Sequence, residues 1–576
     1  MSHKRLSEIV INSVLFSVFL ILVGCSSEAT KKVDDSLVNK NSSIGTEVDE
    51  RPNIVIVVAD DLGLTDIGAL GSEIATPNID ALANAGVKLS NFHTAATCSP
   101  TRSMLLSGTD NHLAGLGAMD EVMQTFAPYL LGKPGYEGHL NDSVATLPEV
   151  MADANYQTFM VGKWHLGKKE GQMPKARGFQ RSFALMEGGA GHLDDRPILP
   201  SNKKSTYLED DKPASLPQDF YSSPFFTSKM KQYLGERDKT KPFMSYMAYT
   251  APHFPLQAPE SSIAKYKGKY DEGYEALAQS RLERQKELGI IAQSTQLPPL
   301  PRNIKPWASL TAEEKKISAK QMEIYAAMVT DLDTAIGDLV TYLKDEGVYD
   351  NTIIFFMSDN GAEANTPNSP AYRSFLKEFV ARCCDNSYEN MGKANSYVMY
   401  GPQWARAGSG VKRLYKGATT QGGIHTPAFV HFPKMVKAKQ YDGLVSVMDI
   451  MPTILELANA QHPYSATNEQ NKFIPMRGAS MLNMLTGKSA NVHSADYALG
   501  AELHGNKAIR KGDWKLLSIG RPAGNGQWGL YNLADDPAEL VDVSASYPEK
   551  FAELKLAWQE YAEEVGVQKM RPRKKN

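Results

Sequence analysis

The chain has 576 residues, a hydrophobic content of 42% and a formal net charge of −3. A chain of this length and composition can bury a large core, and it has room for two or more domains. The nearly balanced charge, without a basic stripe that alternates with aromatic residues, indicates a protein with no nucleic-acid partner.

The N-terminus carries a targeting pattern. A basic start leads into an apolar run over residues 9–23, and the letters L-V-G-C that end at Cys25 resemble a bacterial lipoprotein box. We expect residues 1–24 to be a signal peptide that is removed, Cys25 to carry lipid, and residues 25–50 to form a flexible tether. This predicts a location on the periplasmic side of a bacterial membrane, with the outer membrane favoured. A transmembrane anchor is the alternative, although the run is short and polar for a span.

The first element of the folded part is a predicted strand. Residues Asn53 to Val58 are mostly apolar and β-branched, as in a strand buried on both faces of a parallel sheet. Asp60 and Asp61 follow its C-terminal end, where open α/β sheets place their ligands. Two adjacent carboxylates repel each other, and proteins usually offset this repulsion by binding a hard divalent cation between them. A helix cap or a turn is the alternative.

A cysteine motif comes next. C-S-P-T-R begins at Cys98 and places Arg102 one helical turn later, so both side chains can reach one site. Considered alone, Cys98 is better interpreted as a small buried hydrophobe, which is the commoner role of an unpaired cysteine. Cys383 and Cys384 are adjacent and are not expected to pair easily with each other, because a disulfide between neighbours is strained; the sequence leaves their role open.

Three segments downstream contain isolated cationic groups. Lys163 and His165 are two residues apart in G-K-W-H-L-G, which places them on one side of an extended segment. His253 lies between two prolines in a stiff loop, and Lys416 precedes T-T-Q-G-G. Each of these groups alone is weak evidence for a functional site, because a single Lys is usually a solvated surface charge and a single His is usually a hydrogen-bonded structural group.

The middle of the chain predicts a helix followed by a second buried strand. Apolar residues recur with a helical period over 318–343, and the run 352–357 is again apolar. Asp359 and Asn360 follow this strand, so they complete an oxygen-only set with the first pair; a plain Asn-Gly turn is the alternative. Residues 266–305 are predicted to be a surface insertion that shapes the mouth of the site.

The C-terminal region changes pattern. Hairpin-like strands are predicted over 508–517 and 528–533, and a final helix over 548–565 carries its apolar residues on one face. This favours a smaller antiparallel sheet packed by that helix.

Together, these motifs resemble the sulfatase family. The eleven residues that begin at Cys98, together with D-D-L-G, G-K-W-H-L-G, A-P-H and D-N-G-A-E, are similar to those of bacterial type I arylsulfatases of the alkaline-phosphatase superfamily. The resemblance runs from Arg51 to about Val567. It implies an α/β fold, with a large, mixed, mostly parallel sheet flanked by helices in a catalytic domain over 51–495. A smaller C-terminal α+β subdomain over 496–576 follows.

The resemblance also implies a cofactor set. In this family a maturation enzyme oxidises the motif cysteine, here Cys98, to formylglycine. One hydroxyl of the hydrated aldehyde attacks sulfur, and the other re-forms the carbonyl and expels sulfate. The family's metal ligands correspond to a set of five residues, and oxygen donors favour Ca²⁺, with Mg²⁺ as the alternative. That set is Asp60, Asp61, Asp359, Asn360 and the modified Cys98.

Roles for the remaining residues are implied in the same way. Arg102 and Lys163 would stabilise the sulfate and the hydrated aldehyde, and His165 would deprotonate the second hydroxyl. His253 and Lys416 would bind sulfate oxygens, and one of them would protonate the leaving group. Asp359 would also be the base for the attacking hydroxyl.

The predicted function is hydrolysis of sulfate monoesters, of the aryl sulfate type, to an alcohol or phenol and inorganic sulfate. The substrate is a small-molecule or carbohydrate sulfate ester. The alternatives are a phosphate or phosphonate ester hydrolase of the same superfamily and a non-catalytic glycan-binding surface lipoprotein. A binding relic would have lost part of the catalytic set, whereas this chain retains all of it.

Overall fold

The structure is a computed structural model that describes residues 49–201, 203–369, 375–464 and 472–571. The predicted signal peptide, the lipid site at Cys25 and nearly all of the tether lie outside these residues. Within the described part of the chain, no helix combines the length and apolar character needed to cross a membrane. The predicted domain boundaries remain predictions, and the described residues all fall in one unit, residues 48–576.

A ten-stranded sheet forms the centre of the fold, in the order β11-β2-β10-β9-β1-β8-β4-β5-β6-β7. Its five central strands, from β9 to β5, are mutually parallel, while β10 and β6 pair antiparallel to them. The strands are β1 Asn53–Ala59, β2 Val87–Leu89, β3 Phe92–His93, β4 Gln157–Lys163, β5 Arg181–Leu185, β6 Tyr207–Glu209, β7 Lys212–Pro213, β8 Phe243–Ala248, β9 Thr352–Ser358, β10 Ala428–His431, β11 Lys439–Tyr441 and β12 Val445–Ser446. β12 and β3 form a separate pair. The predicted large, mixed, mostly parallel sheet is confirmed.

Helices cover both faces of this sheet. They are α1 Pro77–Ala85, α2 Cys98–Ser107, α3 Asp120–Phe126, α4 Leu147–Asp153, α5 Ser222–Gly235, α6 Glu260–Ala264, α7 Gly273–Glu287, α8 Ala312–Asp345, α9 Leu376–Cys383, α10 Gly401–Ser409, α11 Gln421–Ile424, α12 Ile450–Ala458, α13 Leu482–Leu485 and α14 Pro548–Glu564. In β1, Val55 and Val57 belong to the core under α5 and α8, whereas Ile54 and Ile56 belong to the core under α2 and α12. Both faces are therefore buried, which explains the continuous apolar run.

The segment over 266–305 is only in part the surface insertion that its composition predicts, because residues 286–303 are exposed or half-buried whereas much of the preceding helix is buried. α7 packs against α10, and its Tyr274 and Leu282 are core residues. Arg281, also on α7, is buried and donates to Asp66 and Glu73. Among the described residues, other segments line the cavity beside Cys98. The sequence interpretation failed for α7 because, from residue type alone, a buried arginine paired with carboxylates cannot be distinguished from an exposed arginine.

The C-terminal region forms the predicted antiparallel sheet and helix. Strands β13 Ala498–Leu503, β14 Asn506–Lys511, β15 Trp514–Ser518 and β16 Trp528–Asn532 pair in sequence order. Leu554, Trp558 and Tyr561 of α14 pack on Ile509 and Leu516 of this sheet, as the apolar face predicts.

A buried polar cluster links this sheet to the rest of the chain. We call it the His112 cluster: His112, Asp110, Tyr136, Glu502 and Tyr561. The two ring nitrogens of His112 contact Asp110 Oδ1 at 2.9 Å and Glu502 Oε2 at 3.2 Å. Tyr561 of α14 donates to Asp110 Oδ2 at 2.8 Å, and Tyr136 donates to Glu502. Every charged side chain in the cluster is thus paired.

The expectation that Cys383 and Cys384 do not pair easily with each other is wrong. A disulfide joins them, with Cα atoms 3.7 Å apart. α9 ends at Cys383, and Cys384 continues with an extended backbone. The chain changes direction between the two residues, which lets neighbouring side chains meet.

Candidate active site

The metal-ligand candidates lie together at the carboxyl ends of two paired strands. β1 and β9 run parallel with Ala59 opposite Ser358, so the residues that follow them are adjacent. The Asn360 amide donates to Asp61 Oδ1 at 2.6 Å, and the Asp61 backbone amide donates to Asp359 Oδ1 at 3.3 Å. Asp61 has a φ of 67°, in the left-handed region, which turns its carboxylate inward beside that of Asp60.

α2 brings Cys98 and Arg102 to the same place. Cys98 is the first residue of this ten-residue helix, and its buried Sγ lies 3.5 Å from Asp60 Oδ1. Arg102 is fully buried and donates through Nε and Nη2 to Asp359 Oδ2, at 2.9 and 2.7 Å. Its Nη1 donates to the backbone carbonyl of Lys163 at 3.0 Å. The helical spacing predicted from the sequence is therefore confirmed.

Two lysines face the carboxylates. Lys163, the last residue of β4, places Nζ 2.7 Å from Asp60 Oδ2. Lys416 places Nζ 2.7 Å from Asp61 Oδ1 and 3.3 Å from Glu363 Oε2. Asp60, Asp61, Asp359, Lys163, Arg102 and Lys416 form what we call the strand-end cluster.

The two histidines occupy different sides of the site. His253 has Nε2 3.5 Å from Asp61 Oδ2, and its Nδ1 donates to the Phe254 carbonyl at 2.6 Å. Lys163 and His165 do not share one extended segment, because His165 has a left-handed φ of 56°. Its Nε2 lies 3.0 Å from Glu121 Oε1.

Glu121 and Glu363 were missed by sequence reasoning. Glu363 falls in the quoted D-N-G-A-E motif, which was a usable signal. Glu121 lies on α3, far from every motif, and the chain offers no local signal for it.

Burial and neighbouring charge set the titration of the cluster. Burial raises the pKa of Asp60, but Lys163, His253 and Arg102 outweigh it and hold the pKa below its usual range. Burial and the nearby Asp60 raise the pKa of Asp359 to about 6. Burial also raises the pKa of the Cys98 thiol well above its usual value. An unmodified cysteine here is a neutral thiol, which is a poor nucleophile.

The geometry fits a divalent metal ion. Ligand atoms of Asp60, Asp61, Cys98 and His253 all lie within 4.8 Å of one another, and all four residues are buried. Asn360 Oδ1 is a buried acceptor with no hydrogen-bond partner in the described part of the chain, as expected of a ligand oxygen. Carboxylate and amide oxygens suit a hard cation, and it would offset the repulsion between Asp60 and Asp61.

A cavity of about 520 Å³ opens beside these groups. Cys98, His165, His253 and Lys416 line this cavity. Its lining also includes the polar residues Glu121, Gln124, Thr125 and Ser201, and the apolar residues Met119, Val122, Phe126, Ile198, Phe254 and Phe375. A reacting ester in the cavity can therefore meet both charged groups and apolar surface.

The family comparison agrees with this geometry. The profile of the family described as "Sulfatase" matches residues 52–460, and the one described as "N-sulphoglucosamine sulphohydrolase, C-terminal" matches residues 414–564. The chain belongs to the sulfatase family.

Several related proteins match most of the length of the chain. An uncharacterized sulfatase of Schizosaccharomyces pombe is 44% identical over 527 residues, which are 90% of this chain and 94% of that protein. An arylsulfatase of Klebsiella aerogenes is 40% identical over 436 residues, or 75% of this chain and 91% of that protein. The crystal structure of Ps i-CgsB is 26% identical and has a TM-score of 0.62, covering 89% of this chain and 93% of that one. The protein is a sulfuric ester hydrolase, from a family that uses a metal ion and a formylglycine.

Proposed function

We propose that this enzyme hydrolyses aryl sulfate esters, with formylglycine at position 98 as nucleophile and Ca²⁺ as the metal. The observation that carries the substrate class is the lining of the cavity, which combines the charged groups of the site with several aromatic and aliphatic side chains. A sugar presents many hydroxyl groups that need polar partners, and leaving them unpaired is costly. A phenyl group needs only apolar contact, which these side chains supply.

The charged residues of the site would bind the sulfate group and take part in its cleavage. Formylglycine would supply a hydrated aldehyde with two hydroxyls, one for attack on sulfur and one for release of sulfate. Lys163 and Arg102 would hold negative oxygens near residue 98, because both are buried cations beside its helix. Asp359 would accept the proton of the attacking hydroxyl.

His253 and Lys416 border the cavity where the ester oxygen would leave. Burial lowers the pKa of His253 well below its usual value, whereas Asp61 outweighs burial and raises the pKa of Lys416. Either group reaches the same side of the site, and a proton from one of them would stabilise the departing oxygen.

Asp60, Asp61, Asp359 and Asn360 would hold the metal, with residue 98 nearby. The charge of three carboxylates and the all-oxygen set favour Ca²⁺ over softer metals. Dialysis against a chelator should lower both activity and melting temperature, because the ion binds the folded chain only. Adding Ca²⁺ back should restore activity and melting temperature more fully than adding Mg²⁺. If only Mg²⁺ restores them, the metal is Mg²⁺ and not Ca²⁺.

The first test examines the nucleophile and the substrate together. Mass spectrometry of the peptide that contains Cys98 should find formylglycine in active enzyme, which requires a maturation enzyme as a partner. Fully active material with only unmodified cysteine would refute the mechanism. On matured enzyme, kcat/KM should be highest for aryl sulfates, and it should be lower for alkyl sulfates, for sulfated oligosaccharides and for aryl phosphates. A preference for an oligosaccharide or a phosphate would replace the substrate assignment.

We further propose that lipid on Cys25 holds the enzyme on the periplasmic side of a bacterial membrane, the outer membrane being favoured. The support is the L-V-G-C pattern and the polar residues that follow it. Metabolic labelling with a fatty acid should mark the wild type and not Cys25→Ala. Equal labelling of both chains would favour another anchor.

A further inference from the structure

His165 is held in an unusual environment for a histidine beside a cavity. Its side chain is almost fully buried, and its Nδ1 has no hydrogen-bond partner among the described residues. Its other ring nitrogen, Nε2, faces both carboxylate oxygens of Glu121, at 3.0 and 3.2 Å. A buried polar atom without a partner calls for an explanation.

The pairing with Glu121 determines which nitrogen carries the proton. An ionised carboxylate only accepts hydrogen bonds, so Nε2 must be the donor. In the neutral ring, Nδ1 is then the atom without a proton, and it can accept one. Burial raises the pKa of Glu121, but His165 outweighs this effect and lowers the pKa to about 2, so the carboxylate is ionised at neutral pH.

Two separate elements build this pair. Glu121 comes from the first turn of α3, and His165 follows β4 with a left-handed backbone. Gly188, beyond the end of β5, lies against both side chains: a Cβ atom there would be 2.7 Å from His165 Cε1 and 3.1 Å from Glu121 Oε1. A side chain at this position would therefore press on the His165 ring, and the pair as observed packs into space that a glycine leaves free.

We propose that Glu121 is a positioning residue that fixes the Nε2–H tautomer of His165, so that Nδ1 accepts a proton in the cavity. This inference rests on the proposed function of the site, in which His165 takes the proton of the second hydroxyl of residue 98. In that step the O–H bond breaks and the Nδ1–H bond forms, while the electron pair of the O–H bond re-forms the C=O bond of the aldehyde and the C–O bond to the sulfate group breaks, so that inorganic sulfate leaves. The Glu121 carboxylate then balances the positive charge of the ring, as a carboxylate does for a catalytic histidine in other hydrolases.

The first experiment does not depend on activity. Full-length protein with unmodified Cys98 is labelled with ¹⁵N in its histidines, and His165 is assigned by comparison with His165→Asn. The wild type should show a protonated Nε2 and an unprotonated Nδ1, and Glu121→Gln should lose this preference because an amide can donate or accept. The matched control is Asp120→Asn, which removes the adjacent charge of the same helix and should leave the tautomer unchanged. The same tautomer in Glu121→Gln would overturn the proposal.

The second experiment is a double-mutant cycle on matured enzyme. Glu121→Gln should lower kcat between about 10- and 100-fold, less than the 10²–10⁴-fold expected for loss of the base itself. KM should change much less. In the His165→Asn background, Glu121→Gln should have almost no further effect, because the carboxylate acts only through the ring. Additive losses would overturn the positioning role.

Gly188→Ala provides an independent check that leaves both functional groups in place. The added methyl group should separate the pair, reduce kcat and disturb the His165 tautomer, with Glu121 still present. Wild-type kcat and tautomer in this variant would contradict the proposed geometry. If the tautomer results hold but no sulfate ester is hydrolysed, the pair stands and the proposed function fails.

Discussion

Two buried charge clusters in this molecule differ in their surroundings. The charged groups of both clusters are paired, but the strand-end cluster lies beside a cavity, where the neighbouring Asn360 Oδ1 and His165 Nδ1 have no hydrogen-bond partner among the described residues. Both are almost completely removed from solvent. Burial of charge therefore does not distinguish a site from a structural network.

The energetic consequence differs between them. A paired network is strongly destabilised when one partner is removed, because a buried charge is then uncompensated. In the strand-end cluster the adjacent carboxylates Asp60 and Asp61 repel each other without a metal ion, and Lys163 and Lys416 offset only part of this repulsion, so the site is expected to lower stability in exchange for reactivity. Substitutions should therefore separate the two clusters by which quantity they change.

The largest effect is expected from the groups assigned to the leaving oxygen. His253→Ala or Lys416→Ala should lower kcat/KM by about 10²–10⁴-fold for sulfate esters with poor leaving groups, and much less for an activated nitrophenyl sulfate. The reason is that protonation matters most where the leaving oxygen is most basic. Rates over a series of aryl sulfates measure this dependence.

Asp359→Asn is the comparison variant for that series. It perturbs the metal and the nucleophile, so its loss should be similar for all leaving groups. If His253→Ala and Lys416→Ala both lose one constant factor across the series, neither residue is the general acid.

The next effect is on stability. His112→Ala should reduce the free energy of unfolding by about 3–5 kcal/mol, because it leaves Asp110 and Glu502 buried and unpaired. The kcat of the folded enzyme should remain within about threefold of wild type. Denaturant unfolding and activity per folded molecule measure the two quantities. Asp61→Asn is the converse control: activity is lost, while stability in the presence of a chelator is retained. If His112→Ala and Asp61→Asn lost stability and activity to the same extents, the two clusters would not differ in the way described above.

A smaller effect concerns pH. Burial lowers the pKa of His112, but hydrogen bonds with Asp110 and Glu502 outweigh it and raise the pKa to about 9. The folded state therefore favours the protonated ring. This contribution, about 3 kcal/mol, is complete below the usual pKa near 6.5 and is lost as pH rises through about 9. The stability difference between wild type and His112→Gln should shrink over that interval, and a constant difference would contradict the assignment.

The smallest effect tests one hydrogen bond of the His112 cluster. Tyr561→Phe removes the donor to Asp110 Oδ2 and should cost about 1–2 kcal/mol, since an ionised acceptor loses a buried partner. Thermal unfolding at matched pH measures it, and an unchanged melting temperature would show that water replaces the hydroxyl.

Local patterns predicted part of the fold, whereas the large mixed sheet was implied by the family resemblance. The apolar runs of β1 and β9, the period of α8 and the apolar face of α14 were predicted with boundaries close to those observed, because burial imposes a period on each element. The patterns failed for α7, where Arg281 is charged yet buried against Asp66 and Glu73. They also failed for Cys383 and Cys384, whose pairing depends on the direction in which the chain leaves α9.

For the site, strand ends and one helical turn are short-range geometry that a sequence displays, and they indicated Asp60, Asp61, Cys98, Arg102, Asp359 and Asn360 as candidates. The other four candidates, Lys163, His165, His253 and Lys416, came from the resemblance to the sulfatase family. The contacts of these candidates with one another were not accessible, because Asp60 and Lys163, or Asp61 and Lys416, meet only when distant segments fold together. Glu121 is the clearest case. Only the packing of α3 beside the end of β4, in the space left by Gly188, determines that this carboxylate contacts His165.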